Sequence, residues 1–133
     1  MPRLFLIPTT LDPEIKSSAI LPAQMEQIKH LKHFVVETAK IGRAHLKQLN
    51  LDTPLQQLQI EELNKHKQDL SALIAPLQKG EDLGIISDCG CPAIADPGSR
   101  IVSVAHEMGF EVIPLIGPNS ILLTLMSSGL NGQ

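Results

Sequence analysis

The chain has 133 residues, of which 43% are hydrophobic and 19% are charged, and this composition suits one folded domain with a substantial core. The formal net charge of −3 and the presence of three Phe but no Trp or Tyr argue against a dedicated nucleic-acid binder that stacks bases on aromatic rings. The opening residues do not form a signal-peptide pattern, no apolar run approaches a membrane helix, and there are only two cysteines, so we expect a cytoplasmic protein without a membrane partner.

Apolar runs and helical spacings alternate along the chain and predict an α/β fold. The first, fourth and fifth predicted strands are followed by residues that favour turns. The predicted strands are Leu4–Pro8, His33–Glu37, Leu58–Leu63, Leu83–Ser87 and Phe110–Ile116. The predicted helices are Leu21–Leu31, Ala39–Leu49, Lys67–Gly80, Gly98–Gly109 and Pro118–Gly129, with Pro76 an awkward residue inside the third. This alternation is typical of a mostly parallel sheet with helices on both faces.

Three loops rich in turn-forming residues follow predicted strands. They contain the stretches "PTTLDP" from Pro8, "SDCGCPAIADPG" from Ser87 and "IGPNS" from Ile116. Because ligands of open parallel sheets bind outside the carboxyl ends of the strands, we expect the three loops to gather at one edge and to shape a binding site there.

The loop between Ser87 and Arg100 contains the pair Cys89 and Cys91. The pair could be half of a zinc or redox site, but no histidine lies nearby in a paired metal spacing, and we predict no metal. Small half-buried residues in a tight loop are the simpler interpretation. The loop also lacks the Gly-Lys-Ser/Thr ending of a phosphate-binding P-loop and the three glycines of a dinucleotide fingerprint.

The same loop can present its backbone to a ligand. Gly90 permits a close approach or a positive φ, and Pro92 and Pro97 stiffen the chain. Asp88 and Asp96 supply acceptors for hydroxyl or ammonium groups. Such a surface suits a polar, zwitterionic cofactor better than a triphosphate.

Three stretches of the sequence resemble the tetrapyrrole methylase family, the class III methyltransferases that use S-adenosylmethionine. They are Ser87-Asp88-Cys89-Gly90-Cys91-Pro92, Ala95-Asp96-Pro97-Gly98 and Ile116-Gly117-Pro118-Asn119-Ser120. The similarity is greatest to the ribosomal RNA methyltransferase branch, which methylates a cytidine 2′-hydroxyl. "LIPTTL" and "VVETAK" resemble the first strand and a Glu-Asp-Thr-Arg stretch of that branch.

The resemblance implies a site for S-adenosylmethionine. The residues that it assigns to the cofactor are Asp88, Cys89, Gly90, Cys91, Pro92, Ala93, Ile94, Gly117, Pro118 and Ser120. Ser87 and Asp96 are expected to brace the loop. If the methyl acceptor is a hydroxyl, Glu37 and Asp88 are the candidate bases, and their alternative roles are a strand-end cap and a loop brace. His66 is a weaker candidate.

Departures from the family pattern concern the acceptor more than the cofactor. The two cysteines replace Ala and Thr, and Glu37 lacks the acidic neighbour of the family. Members of the family have two domains with the cofactor between them, so residues 1–133 are expected to form the N-terminal domain, without its C-terminal partner. The isolated domain is expected to be inactive and prone to form a homodimer.

The acceptor remains open between ribosomal RNA and a tetrapyrrole or other small molecule, and a non-catalytic ligand-binding module of the same fold is the further alternative. Between Ile28 and Asn50 five basic residues stand against only Glu37. This stretch is either a solvated helix face or a surface that meets an anionic substrate.

Overall fold

Five parallel strands form a single sheet in the computed structural model, which describes residues 1–63 and 69–133. The strands are β1 (Arg3–Ile7), β2 (His33–Val36), β3 (Gln59–Glu62), β4 (Leu83–Ile86) and β5 (Glu111–Pro114). Each lies within one or two residues of its predicted bounds. The central strands β1 and β4 are short apolar runs, as strands covered on both faces require, whereas the edge strand β3 is Gln-Ile-Glu-Glu and mostly exposed. The predicted α/β fold is confirmed, and every strand pair is parallel.

The strand order is β3-β2-β4-β1-β5, so β1 and β4 are neighbours at the centre of the sheet. The chain leaves β1 toward β2 on one side and leaves β4 toward β5 on the other side. Connections that diverge in this way open a crevice at the carboxyl ends of the two strands. The topology therefore places the loops after β1 and β4 at the position where this class of sheet binds ligands.

The helices other than the last one cover both faces of the sheet. The helices are α1 (Pro22–Ile28), α2 (Ala39–Leu46), α3 (Leu70–Leu73), α4 (Ala75–Gln78), α5 (Gly98–Glu107) and α6 (Ser120–Ser128), with a 3-10 turn at Leu55–Gln57. One core cluster joins the α1 and α2 side to Phe5 and Phe34, and the other joins the α3, α4 and α5 side to Leu4 and Val35. The alternation of adjacent residues between the two clusters is the two-residue period of a strand.

Three predicted helices differ from those observed. The helix expected over Ala39–Leu49 ends at Leu46, and Leu49 N–H bonds to Leu46 O in a turn that follows it. The helix expected over Lys67–Gly80 is two short helices, because Pro76 lacks an N–H and its ring excludes a continuous helix, so a new one starts at Ala75. Residues 67 and 68 of that prediction lie outside the described residues. The helix expected over Leu21–Leu31 ends at Ile28, since Leu31 N–H bonds to Ile28 O in a final turn before β2.

Helix α6 covers no part of the sheet. It has no buried residue, and its large apolar side chains face solvent, with Leu122 58% and Met126 77% exposed. Residues 115–133 contain no charged side chain. In the part of the chain that the structure describes, no helix is both long and apolar enough to cross a membrane.

At the amino edge of the sheet, Asp82 connects three segments. Its carboxylate accepts hydrogen bonds from Arg3 N–H at 2.7 Å and from His30 Nε2 at 2.7 Å, and Arg3 also forms an ion pair with it at 3.3 Å. His33 and Glu81 form a second pair beside it. Burial alone would raise the pKa of Asp82, but the hydrogen bonds from His30 and Arg3 hold that pKa below its usual value. Charged hydrogen bonds therefore hold the segments together at this edge, which lies opposite the turn-rich loops.

Candidate functional site

The three turn-rich loops meet at the carboxyl edge, as the sequence predicts. Thr9 N–H donates to Gly90 O at 3.1 Å and so joins the loop after β1 to the loop after β4. Cys91 N–H donates to Pro118 O at 3.0 Å and joins the loop after β4 to the loop before α6. The three loops therefore form one continuous surface.

Two glycines make this close approach possible. Gly90 has a φ of +75°, and a Cβ there would lie 2.9 Å from Leu11 Cδ2 and 3.0 Å from Pro118 O. A Cβ on Gly117 would lie 2.1 Å from Pro8 Cβ. Any side chain at either position would push the loops apart.

The loop after β4 is braced from within. Buried Ser87 donates its hydroxyl to Gly90 O at 3.1 Å. The Asp96 carboxylate accepts from Ala93 N–H at 3.0 and 3.1 Å and from Gly98 N–H at 2.7 Å. Both residues thus have the bracing role expected of them. Ala93 and Ala95 have φ values of 68° and 53°, a region that costs a non-glycine residue about 1 kcal/mol or more, and such strain is frequent at functional sites.

The two candidate bases lie together where β2 and β4 end. Glu37 Oε1 accepts from Asp88 N–H at 2.9 Å. The two oxygens of the Asp88 carboxylate accept from Thr38 N–H at 3.1 Å and from Thr38 Oγ1 at 2.8 Å. Thr38 is the N-cap of α2 as predicted, but its hydroxyl donates to the Asp88 carboxylate and does not cap the helix. Both carboxylates therefore brace the chain, and in these bonds Asp88 uses both of its oxygens whereas Glu37 uses one.

A small depression lies between the loop after β4 and the start of α6. Its volume is about 50 Å³, and it is lined by Leu11, Cys89, Gly90, Cys91, Ile94, Asn119, Ser120 and Ile121. We call it the loop depression. No lining residue is charged. Ligand pockets commonly enclose 300–1,000 Å³, so the loop depression can form only one wall of a site for a molecule as large as a nucleoside cofactor.

The residues assigned to the cofactor by resemblance do not all line this depression. Cys89, Gly90, Cys91, Ile94 and Ser120 do. Pro92 is buried, and Ala93 donates its N–H to Asp96. Gly117 packs on Pro8, and Pro118 contributes the carbonyl that accepts from Cys91. Asp88 faces α2, on the other side of Cys89.

The two cysteines are free thiols with different surroundings. Cys89 is exposed, and its Sγ donates to Leu11 O at 3.5 Å. Cys91 is half-buried; burial raises the pKa of its thiol, and a hydrogen bond with the Gly117 backbone only partly opposes that effect. The thiol of Cys91 is therefore neutral at physiological pH and acts as a small packing group.

Among residues 1–63 and 69–133 no cluster of three potential metal ligands is present.

A larger cavity of about 620 Å³ lies on the other side of Cys89, between α2 and the loop after β1. We call it the α2 groove. Its walls are predominantly apolar, and Lys16, Lys40, His45 and Asp88 bring polar groups to it. Leu11 and Cys89 line both the α2 groove and the loop depression, so they form the ridge between them.

Sequence reasoning did not assign most residues of the α2 groove to a site, and Leu11, Asn119 and His45 are three informative residues that it missed. Leu11 follows β1 in the turn-rich loop, which was the available signal. Asn119 caps α6, because its Oδ1 accepts from Ile121 N–H and Leu122 N–H. His45 Nε2 lies 2.9 Å from Asp88 O, and because a carbonyl only accepts, Nε2 carries the proton. No local pattern signals this contact between residues 43 positions apart. His66, the weaker candidate base, lies outside the described residues.

The chain is similar to several curated proteins, although no protein-family model matches it. Ribosomal RNA small subunit methyltransferase I of Synechocystis sp. is 31% identical over 109 residues, which cover 82% of this chain and 38% of that protein. The protein of the same name from Vibrio cholerae is 26% identical over 129 residues, covering 97% of this chain and 43% of the relative. The protein of that name from Mesorhizobium japonicum is 47% identical over 58 residues, which cover 44% of this chain and 20% of the relative. The chain thus spans less than half the length of these relatives.

Proposed function

Because this chain is a homologue of the ribosomal RNA small subunit methyltransferases I, within the tetrapyrrole methylase family, we propose that its carboxyl edge holds S-adenosylmethionine for methyl transfer. The observation that carries the proposal is the hydrogen bond from Cys91 N–H to Pro118 O, which joins two family motifs into one surface. The proposed acceptor is ribosomal RNA, by analogy with the names of the relatives, and the family resemblance implies a ribose 2′-hydroxyl of that RNA.

The chemistry of the loop depression fits this cofactor. When bound, S-adenosylmethionine supplies a methyl group on a positively charged sulfonium. The lining has no basic residue to repel that charge, and Cys91 remains a neutral thiol. The exposed hydroxyl of Ser120 and the backbone of Cys89 to Ile94 provide hydrogen-bonding groups for a polar ligand. In this proposal the protein contributes orientation and exclusion of water more than activation.

Glu37 is the better candidate of the two bases for the acceptor proton. A base needs an oxygen that is available to accept the proton, and the Asp88 carboxylate, although it lines the α2 groove, already accepts hydrogen bonds from Thr38 on both oxygens. Glu37 accepts one from Asp88 N–H through Oε1. In a tritium-transfer assay of the full-length gene product with unmodified ribosomal RNA, Glu37→Gln should keep that acceptor and lose at least 100-fold in kcat, following the usual contribution of a general base of about 10²–10⁴. A variant with unchanged kcat would remove Glu37 from this role.

A second part of a longer chain supplies the opposite wall of the site in this proposal. Two observations support it: the loop depression is too shallow to enclose a cofactor, and the relatives are more than twice as long as the matched region. The exposed apolar face of α6 borders the depression and offers a surface for that second part. The isolated chain should therefore bind the cofactor weakly.

The experiment that tests cofactor binding is a titration of the ¹⁵N-labelled chain with S-adenosylmethionine, followed by NMR. Amide signals of Cys89, Gly90, Cys91, Ala93 and Ile94 should move and saturate at millimolar cofactor. Ile94→Arg places a bulky cation in the depression and should weaken binding at least tenfold. Ile116→Arg is the matched control, because Ile116 is exposed in the same region but does not line the depression, and it should stay within twofold. Unmoved signals in the unaltered chain would refute the proposal.

An alternative is a tetrapyrrole or other small-molecule acceptor. The apolar α2 groove is the observation that favours this alternative, since a flat apolar ring would bury surface there.

A further alternative is a non-catalytic ligand-binding module of the same fold. It would retain cofactor binding and show no methyl transfer to either acceptor.

A further inference from the structure

The α2 groove has the size and the walls of a ligand site. Its volume of about 620 Å³ lies within the 300–1,000 Å³ that small-molecule sites commonly occupy. Ile15, on the loop after β1, and Ile41, on α2, both line the cavity, and they are 49% and 40% exposed. Apolar side chains exposed on the walls of a cavity gain free energy when a flat apolar group displaces water from them.

The charges of the α2 groove favour an anion. Lys16 and Lys40 line it, and Lys16 Nζ donates to Pro13 O at 3.2 Å. Asp88 is the acidic residue of the lining, and its carboxylate is already bonded to Thr38 N–H and Oγ1. Asp12 and Glu14 belong to the adjacent loop but do not line the cavity. The groove therefore combines apolar walls with positive charge.

Positive charge continues along α2 beyond the groove. Lys40, Arg43 and Lys47 are all exposed, and α2 itself contains no acidic residue. A compact anion would need only the groove, whereas successive phosphates of an extended strand can use the whole series. This distribution favours a polynucleotide over a small carboxylate-bearing ring.

The α2 groove also adjoins the proposed cofactor wall. Leu11 and Cys89 separate the two concavities, and the Cys89 Sγ to Leu11 O contact holds that ridge together. A ligand in the groove is therefore next to a ligand in the loop depression, as a methyl acceptor must be next to its donor.

We propose that the α2 groove binds one nucleotide of single-stranded RNA, with the base between Ile15 and Ile41 and the flanking phosphates on Lys16 and Lys40. Its role as the acceptor site rests on the proposed function, but binding itself does not require the cofactor. RNA affinity and cofactor affinity can therefore fail separately.

The test is fluorescence anisotropy of a short fluorescein-labelled, cytidine-containing RNA mixed with the chain at several salt concentrations. Lys16→Glu/Lys40→Glu should weaken binding on the order of tenfold or more at low salt. Loss of two phosphate contacts should also reduce the salt slope of the binding constant by about 1.4, since each contact to a single strand contributes about 0.7.

The matched control is Lys32→Glu/Lys79→Glu, which makes the same change of net charge. Both lysines are exposed and precede β2 and β4, at the amino edge of the sheet, away from the groove. RNA affinity of this control should stay within a few-fold of the unaltered chain. Ile41→Ser tests the apolar wall and should weaken binding severalfold, whereas Leu21→Ser, another exposed apolar residue, should not.

Four outcomes overturn the proposal: no RNA binding by the unaltered chain, equal losses in the two double-lysine variants, an unaffected Ile41→Ser variant, or saturable binding of a carboxylate-bearing porphyrin with no RNA binding. A chain that binds RNA through Lys16 and Lys40 but fails to bind S-adenosylmethionine supports this inference and contradicts the proposed function. A chain that binds S-adenosylmethionine but not RNA does the reverse.

Discussion

Gly90 shows how single residues hold the carboxyl edge together. Glycine is favoured at this position for two separate reasons: its φ is +75°, and a Cβ would contact Leu11 and Pro118. The sequence indicated the positive φ, because a glycine between two cysteines in a turn-rich loop suggests a special backbone angle. The contacts with Leu11 and Pro118 involve residues distant in sequence and could not be inferred from the loop alone.

Gly90→Ala should lower the free energy of unfolding by about 2–4 kcal/mol, from left-handed strain of about 1–2 kcal/mol plus overpacking of similar size. Gly80→Ala is the matched control, because Gly80 has a φ of +85° but nothing lies within 4 Å of its added Cβ. It should cost only the strain. Urea unfolding at neutral pH measures both, and equal losses would mean that the loop contacts contribute little.

Cys89 and Cys91 should differ in reactivity, because Cys89 is exposed while burial raises the pKa of the half-buried Cys91 thiol. The thiolate is the reactive form, so Cys91 should react more slowly. We expect Cys91→Ser, which leaves Cys89, to be alkylated by iodoacetamide at neutral pH at least several times faster than Cys89→Ser. Intact-mass spectrometry gives both rates, and similar rates would contradict the described difference in burial.

At the scale of elements, the sequence predicted the strands better than the helices or their arrangement. A run such as Leu83–Ile86 is apolar at every position, which indicates a strand covered on both faces wherever it lies in the sheet. The helix expected over Lys67–Gly80 instead breaks near Pro76, and the stop of α1 depends on how the chain enters β2. The position of β4 between β2 and β1 depends on tertiary packing, and no local sequence pattern indicates it.

The candidate site was predictable to a similar extent. The turn-rich loops meet at one edge as predicted, since the carboxyl ends of parallel strands must lie together. The contacts from Thr38 and His45 to Asp88 were not predictable, because they join the ends of β2 and β4 through α2. They make Asp88 a fixed link between two elements, which a loop residue viewed in sequence does not reveal.

Asp82 links elements at the amino edge, and its charge should make stability depend on pH. Because its pKa is lowered in the folded chain, its stabilisation is present above the unfolded-state pKa of about 3.9 and is lost as the pH falls through the lower folded-state value. Asp82→Asn should therefore cost about 1 kcal/mol at pH 7, a figure kept small because the group is partly solvated.

Urea unfolding at pH 7 and below pH 3 checks this expectation. The difference between the unaltered chain and Asp82→Asn should shrink at the lower pH, because the stabilisation from the Asp82 carboxylate is lost as the pH falls below its unfolded-state pKa and through the lower folded-state value. Glu107→Gln, which removes an exposed carboxylate from α5, should change stability little at either pH. A constant difference for Asp82→Asn would show that its hydrogen bonds, rather than its charge, account for the effect.

At the scale of the whole molecule, both faces of the sheet are covered by helices, whereas helix α6 is exposed and buries none of its own residues. The sequence indicated an apolar helix at α6 but not the exposure of its side chains, since an apolar helix that follows a strand in an α/β fold usually packs on the sheet. Residues 115–133 also have no charge that would oppose association. An exposed apolar surface of this kind favours contact with another protein surface.

The isolated chain should consequently self-associate through α6 at micromolar concentration. Leu122→Ser/Met126→Ser should shift the sedimentation velocity profile toward the monomer. Leu21→Ser/Met108→Ser is the matched control, since it removes two exposed apolar side chains elsewhere on the surface, and it should leave the profile unchanged. A monomeric unaltered chain, or equal effects of both variants, would contradict this role of α6.

The contact between Gly117 and Pro8 has an evolutionary consequence. A Cβ at position 117 would overlap the proline ring, and a smaller residue at position 8 would relieve the overlap. Substitutions at these two sites should therefore be inherited as a pair, so that a lineage acquires a side chain at one only after it has lost bulk at the other.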